Sequence, residues 1–156
     1  MHFKFKNQAF QAQATASVAD LFSGQPLQTQ NFALNRLDEL SIDSNQKILL
    51  PESKILENLR AIQLRNNIPP VERLDGLNFS VEMETGVGKT YSYIKTIYEL
   101  NKNYGWNKFI VVVPSVAVRE GVKKSFEMTQ DHFVEIYGEK IRHFVCNSKN
   151  FTVFIR

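Results

Sequence analysis

The residues best suited to chemistry lie in the stretch Gly86-Val87-Gly88-Lys89-Thr90, which has the form of a phosphate-binding loop. The two glycines allow the backbone to bend tightly and to approach an anion closely. The N–H groups freed by that bend, together with the N-terminus of a following helix, would face negative charge. Lys89 can then reach the β and γ phosphates of a nucleotide, and the Thr90 hydroxyl can ligate Mg²⁺. The stretch therefore predicts a site for a nucleoside triphosphate and Mg²⁺.

The segments on either side of the loop decide whether this motif is credible. Apolar residues alternate with polar ones over residues 79–83, which predicts a half-buried strand, and residues 90–101 read as a helix. Strand, glycine turn, Lys-Thr and helix is the order that a phosphate-binding loop requires. The full pattern has a glycine where this chain has Met83. The alternative, a chance Gly-Lys-Thr in a surface loop, is disfavoured by these flanking segments.

Further elements follow from periodicity and turn residues. Helices are predicted at residues 8–22 and 52–66, a helical turn at 34–40, a helix after the N-cap residue Ser115 and a short helix at 131–137. The helix after Ser115 would bury Val118, Val122 and Phe126. Strands are predicted at residues 109–113, 141–146 and 151–155. This order predicts an α/β fold with a parallel sheet over residues 77–156, after an N-terminal helical region at 1–76.

Composition sets broad limits on what the protein is. A chain of 156 residues is long enough for one domain with a core, and its formal net charge of +3 permits nucleic-acid binding without arguing for it. Cys146 is the single cysteine, which excludes an internal disulfide and fits a reducing cytoplasm. The longest wholly apolar run, residues 109–113, is far shorter than the roughly 20 residues that span a bilayer. We therefore expect a cytoplasmic protein without a membrane partner.

Several segments together resemble one protein family. Residues 78–91 resemble motif I of the Res (restriction) subunit of type III restriction enzymes, which are helicase-like proteins of superfamily 2. Residues 109–122 look like the motif Ia segment of that family, residues 10–22 look like its N-terminal glutamine motif, and residues 55–67 match in character. The family commonly has threonine where this chain has Val87. The resemblance covers nearly the whole chain and implies that residues 77–156 are the first part of a RecA-like P-loop NTPase domain.

The resemblance also implies a role for individual residues. Gln11 would hydrogen-bond the adenine edge, with Phe10 packing nearby; judged from the sequence alone, Gln11 reads as a solvated helix residue. Thr85, Gly86, Val87 and Gly88 would cradle the phosphates, Lys89 would stabilise charge on the transferring phosphoryl group, and Thr90 would hold Mg²⁺. Pro114, Ser115, Val116 and Arg119 would lie along the DNA backbone, although an exposed helix charge is nearly as good an interpretation of Arg119.

The implied function is that of a larger enzyme. Members of the family use ATP and Mg²⁺ to act along double-stranded DNA and cut it, working with a modification (methyltransferase) subunit. Hydrolysis needs a carboxylate pair after another strand, and no Asp-Glu pair follows an apolar run here. We therefore expect an N-terminal portion that is catalytically incomplete. Two alternatives stay open: a portion of another superfamily 2 helicase or translocase, and a non-catalytic nucleotide-binding remnant.

Overall fold

The computed structural model describes residues 8–27 and 45–145, and within these ranges the backbone forms four α-helices and no β-strand. The helices are α1 (Ala9–Asp20), α2 (Glu52–Arg65), α3 (Lys89–Tyr104) and α4 (Val116–Tyr137). The helices predicted at residues 8–22, 52–66 and 90–101 are confirmed, and the one predicted at 131–137 is the last part of α4. The predicted helical turn at 34–40 and strand at 151–155 lie outside the described residues.

The predicted α/β fold, with its RecA-like parallel sheet, is wrong for the described residues, which are all-helical apart from irregular segments. Residues 79–83 and 109–113, and residues 141–145 of the strand predicted at 141–146, form no regular secondary structure; residue 146 lies outside the described residues. A strand is stabilised by hydrogen bonds to a neighbouring backbone. Within the described ranges, no backbone hydrogen bond joins 79–83 or 109–113 to another segment. Ile110 and Val112 are accordingly 92% and 88% exposed.

Helix boundaries follow local backbone chemistry. Gly88 and Gly105 flank α3 in left-handed backbone conformations, with φ of 86° and 72°. Residues other than glycine rarely adopt this conformation. The predicted N-cap Ser115 is confirmed, because its Oγ accepts a hydrogen bond from the Val118 N–H at 3.2 Å. None of the helices in the described part of the chain is long and apolar enough to cross a membrane.

Helix α3 is the centre of the structure, because α1 and α4 both pack against it. Two apolar clusters lie along it. The first contains the buried residues Ala19, Leu100, Tyr104 and Trp106, and the second contains Ile94, Tyr98 and Phe133. The buried residues of α4 are Thr129 and Phe133, whereas Val118 is 44% exposed. Val122 and Phe126 are only partly buried, so the predicted burial of Val118, Val122 and Phe126 is wrong, and the buried part of α4 lies further towards its C-terminus.

Two long-range hydrogen bonds fix α1 against α3. The hydroxyl of Tyr104 donates to the carbonyl oxygen of Ala19 at 2.7 Å, and the hydroxyl of Thr15 donates to the carbonyl oxygen of Ser92 at 3.3 Å. Both bonds are buried, and a hydrogen bond of this kind contributes about 0.5–1.5 kcal/mol to stability. They set the position of α1 along α3, and thereby bring the N-terminal end of α1 to the start of α3.

A polar contact between α3 and α4 should make stability depend on pH. The hydroxyl of Tyr91 lies 2.9 Å from Nε2 of His132. Burial lowers the pKa of His132; the carboxylate of Glu135 raises it and the ammonium group of Lys95 lowers it again. The folded state therefore favours neutral His132, whereas the unfolded chain binds a proton near pH 6.5. The contribution of His132 to stability is present above about pH 6.5 and is lost as the pH falls towards its lower folded pKa.

The measurement is the free energy of unfolding of the wild-type chain and of His132→Gln at about pH 7.5 and about pH 5.5. At about pH 7.5 we expect the wild type to be more stable than His132→Gln. At about pH 5.5 we expect the difference in free energy of unfolding between the two proteins to be smaller. If this difference is the same at both pH values, protonation of His132 does not destabilise the folded state.

Candidate nucleotide-binding site

The phosphate loop predicted from the sequence has the backbone that close approach to an anion requires. Gly86 and Gly88 have φ of 82° and 86°, and α3 begins immediately afterwards at Lys89. Within the described ranges, no side chain caps this end of α3, and the first turn of the helix carries no acidic residue. The N–H groups of an uncapped first turn are donors without helical partners, and the helix dipole adds positive potential there. The loop can therefore receive a phosphate group.

Gln11 on α1 lies directly against this loop. Its side chain is only 8% exposed, and its Nε2 donates a hydrogen bond to the carbonyl oxygen of Val87 at 2.8 Å. A Cβ atom placed on Gly88 would lie 2.6 Å from the same nitrogen. The solvated position expected for Gln11 from the sequence alone is therefore wrong. The contact requires glycine at position 88 and brings the glutamine motif and the phosphate loop together.

The remaining predicted nucleotide-binding residues lie around this contact. Phe10, next to Gln11 in the chain, is 42% exposed. Thr85 and Lys89 are exposed, and Thr90 in the first turn of α3 is partly buried. Among the described residues, no carboxylate forms a salt bridge with Lys89. Its ammonium group is thus available to an anion at the start of α3.

The loop offers different groups to the phosphates of ATP and to Mg²⁺. The glycine backbone of the loop, which leaves open space beside Gly86, suits phosphate oxygens. For Mg²⁺, the loop supplies the hydroxyl of Thr90, a hard oxygen ligand. The described residues contain no group of three or more His, Cys, Asp or Glu side chains able to hold a metal ion.

The predicted DNA-binding residues occupy one turn and the beginning of α4. Pro114, Ser115 and Val116 are exposed, and the Ser115 hydroxyl caps α4. The guanidinium group of Arg119 is partly buried and donates to the Glu120 carboxylate, with Nη2–Oε1 at 3.1 Å. The structure thus brings these four residues together, with Arg119 in an ion pair that DNA phosphate would have to displace.

Sequence reasoning missed two residues of α2 that hold the segment approaching the loop. Arg60 donates from Nε to the Val71 carbonyl at 2.9 Å and from Nη2 to the Glu72 carbonyl at 2.7 Å. Gln63 accepts from the Val71 N–H at 3.0 Å. One signal was available, because the proline pair at 69–70 predicts a chain that leaves the helix and needs side-chain partners for its backbone.

Comparison with known proteins identifies the family. Residues 6–155 match the family described as "Type III restriction enzyme, res subunit". The chain is 34% identical over 152 residues to the EcoP15I Res subunit of Escherichia coli. The aligned region covers 92% of this chain and 15% of that protein. It is 36% identical over 110 residues to the EcoPI Res subunit of Escherichia phage P1, which covers 67% of this chain and 11% of that protein.

A third relative is the StyLTI Res subunit of Salmonella typhimurium, with 41% identity over 83 residues, 51% of this chain and 8% of that protein. The chain therefore spans about a seventh or less of the length of the curated relatives it matches. The matched family covers almost the whole chain, which confirms the resemblance read from motif I and its neighbours. The chain belongs to the family of type III restriction enzyme Res subunits.

Proposed function

We propose that the chain binds ATP with Mg²⁺ through residues 85–90, as the N-terminal nucleotide-binding part of a restriction subunit. The observation that supports this most is the contact between Gln11 and the loop, with Nε2 2.8 Å from the Val87 carbonyl oxygen. It joins two motifs that are 76 residues apart in the sequence. A chance Gly-Lys-Thr in a surface loop would not require such a contact.

Each residue around the loop has a role in this proposal. Thr85 to Gly88 surround the phosphates, Lys89 stabilises their charge, and Thr90 supplies a hydroxyl ligand to Mg²⁺. An amide side chain has two N–H donors and an acceptor oxygen. Gln11 can therefore keep its bond to Val87 and still present an N–H and an oxygen to the adenine edge, next to the exposed ring of Phe10. Mg²⁺ itself would neutralise phosphate charge.

The wider activity is proposed from the relatives. EcoP15I, EcoPI and StyLTI are each named as type III restriction-modification enzymes. We infer that the protein containing this chain takes part in ATP-dependent translocation along double-stranded DNA and in DNA cleavage, together with a modification methyltransferase subunit in the cytoplasm. Pro114, Ser115, Val116 and Arg119 would lie along the DNA backbone, where Arg119 would exchange Glu120 for a phosphate.

ATP affinity tests the proposal. In the 156-residue chain, Lys89→Ala should weaken Mg–ATP binding at least tenfold, because a charge-assisted hydrogen bond contributes about 1.5–3 kcal/mol. The measurement is titration calorimetry or competition with a fluorescent ATP analogue. Lys102→Ala is the matched control, since it removes an exposed lysine from the last turn of the same helix. Equal affinities in the two variants would remove Lys89, and with it the phosphate loop, from the nucleotide site.

A further inference from the structure

A cleft of about 370 Å³ lies between α3, α4 and residues 140–144, which follow α4. Ile94 and Tyr98 of α3 line it, and these residues are only 1% and 5% exposed. Its volume falls in the range of about 300–1,000 Å³ that is usual for small-ligand sites. None of its lining residues belongs to residues 85–90. The cleft is therefore a second place, separate from the phosphate loop, where a small chemical group can be held.

The charge of the residues that line the cleft favours an anion. Lys140, Arg142 and His143 line it, whereas none of its lining residues is aspartate or glutamate. Within the described residues, neither Lys140 nor Arg142 forms a salt bridge. Both side chains are exposed, so they can reach a ligand at the mouth of the cleft without first breaking an ion pair. A phosphate group would gain charge-assisted hydrogen bonds from them.

The aromatic rings and the amide of the cleft favour a flat, partly polar ring system attached to that anion. Phe144 lines it with a ring that is 69% exposed, and Phe126 stacks on His143 with ring centroids 5.3 Å apart. Exposed aromatic rings next to basic side chains are the usual platform for an unpaired base. Gln130 also lines the cleft, and its amide makes no hydrogen bond with a described residue. Such an amide can both donate to and accept from a base edge.

We propose that this cleft binds a nucleotide unit, with the base against Phe144 and the apolar lining and the phosphate on Lys140 and Arg142. The unit can be a free nucleotide or part of a single-stranded nucleic acid, because both present a base face and a phosphate. A base paired within a duplex cannot reach the lining of the cleft. The site is independent of the ATP site proposed above and uses none of its residues.

The test measures binding of a fluorescent eight-nucleotide oligothymidylate by anisotropy, with unlabelled dTMP and a duplex of equal length as competitors. All variants of the 156-residue chain carry Lys89→Ala, so that the phosphate loop does not contribute. Phe144→Ala should weaken binding of the single strand at least about fivefold through lost stacking. Arg142→Ala should weaken it and also lower the slope of log affinity against log salt by about 0.7.

Lys124→Ala is the matched control, because it removes an exposed lysine from α4 outside the cleft. Circular dichroism spectra and unfolding midpoints check that each variant remains folded. If dTMP competes with the labelled strand, a free nucleotide is sufficient to fill the cleft. If only unlabelled single strand competes, the ligand is a nucleotide within a strand. The proposal is overturned if neither the strand nor dTMP, titrated directly by calorimetry, binds. It is also overturned if the duplex competes as well as the single strand, or if Arg142→Ala and Lys124→Ala bind equally.

Discussion

Replacing Gly88 with alanine should lower the free energy of unfolding by about 2–3 kcal/mol and weaken ATP binding. Gly88 has φ of 86° and ψ of 41°, and a left-handed conformation costs a residue with a Cβ roughly 1–2 kcal/mol. The new Cβ would also lie 2.6 Å from Nε2 of Gln11. Gln11 would have to move and give up its bond to Val87, which costs about 0.5–1.5 kcal/mol more. Urea unfolding and ATP titration measure the two effects.

Gly86→Ala is the matched control, because Gly86 has φ of 82° and a Cβ there would have nothing within 4 Å. It should show the cost of the backbone conformation without the collision. In a Gln11→Ala background, the cost of Gly88→Ala should fall to that of Gly86→Ala. If the two glycine substitutions cost the same when Gln11 is present, the contact between Gln11 and the loop does not exist in solution.

The helices could be predicted because their signals are local. The apolar stripe of α2, the N-cap at Ser115 and the glycines at the ends of α3 each act within a few neighbouring residues. The sheet was predicted wrongly because strand-like composition says only that a segment can pair. Residues 109–113 have an apolar, β-branched sequence, yet the described residues provide no backbone partner for them.

The composition of the candidate site was predictable, but its arrangement was not. The Gly-Lys-Thr motif indicated a phosphate loop at the start of a helix, and the glutamine motif named Gln11. The sequence contains no sign that Gln11 would be buried against Val87, 76 residues away, because that contact depends on how α1 packs along α3. The same holds for Asn58, whose Nδ2 donates to the Leu21 and Ser23 carbonyls, each at 3.0 Å, beyond the end of α1.

Phe133→Ala should be the most destabilising single substitution considered, with a loss of about 3–5 kcal/mol in the free energy of unfolding. Phe133 is fully buried, and its ring centroid lies 5.1 Å from that of Tyr91 and 5.0 Å from that of Tyr98, both on α3. Truncation would remove the apolar transfer energy and leave a cavity where α4 packs on α3. Because the N-terminal part of α4 is mostly exposed, the remaining packing cannot offset this loss.

Ile136→Ala is the matched control, since Ile136 lies on α4 three residues later and is 53% exposed. Its substitution should change stability by no more than about 0.5 kcal/mol. Urea unfolding of both variants measures the difference, and near-ultraviolet circular dichroism should report the disturbed packing of Tyr91 and Tyr98 in Phe133→Ala alone. Equal costs for the two substitutions would mean that α4 does not pack on α3 through Phe133. The cleft that lies between α3 and α4, and with it the proposed nucleotide site, would then not form as described.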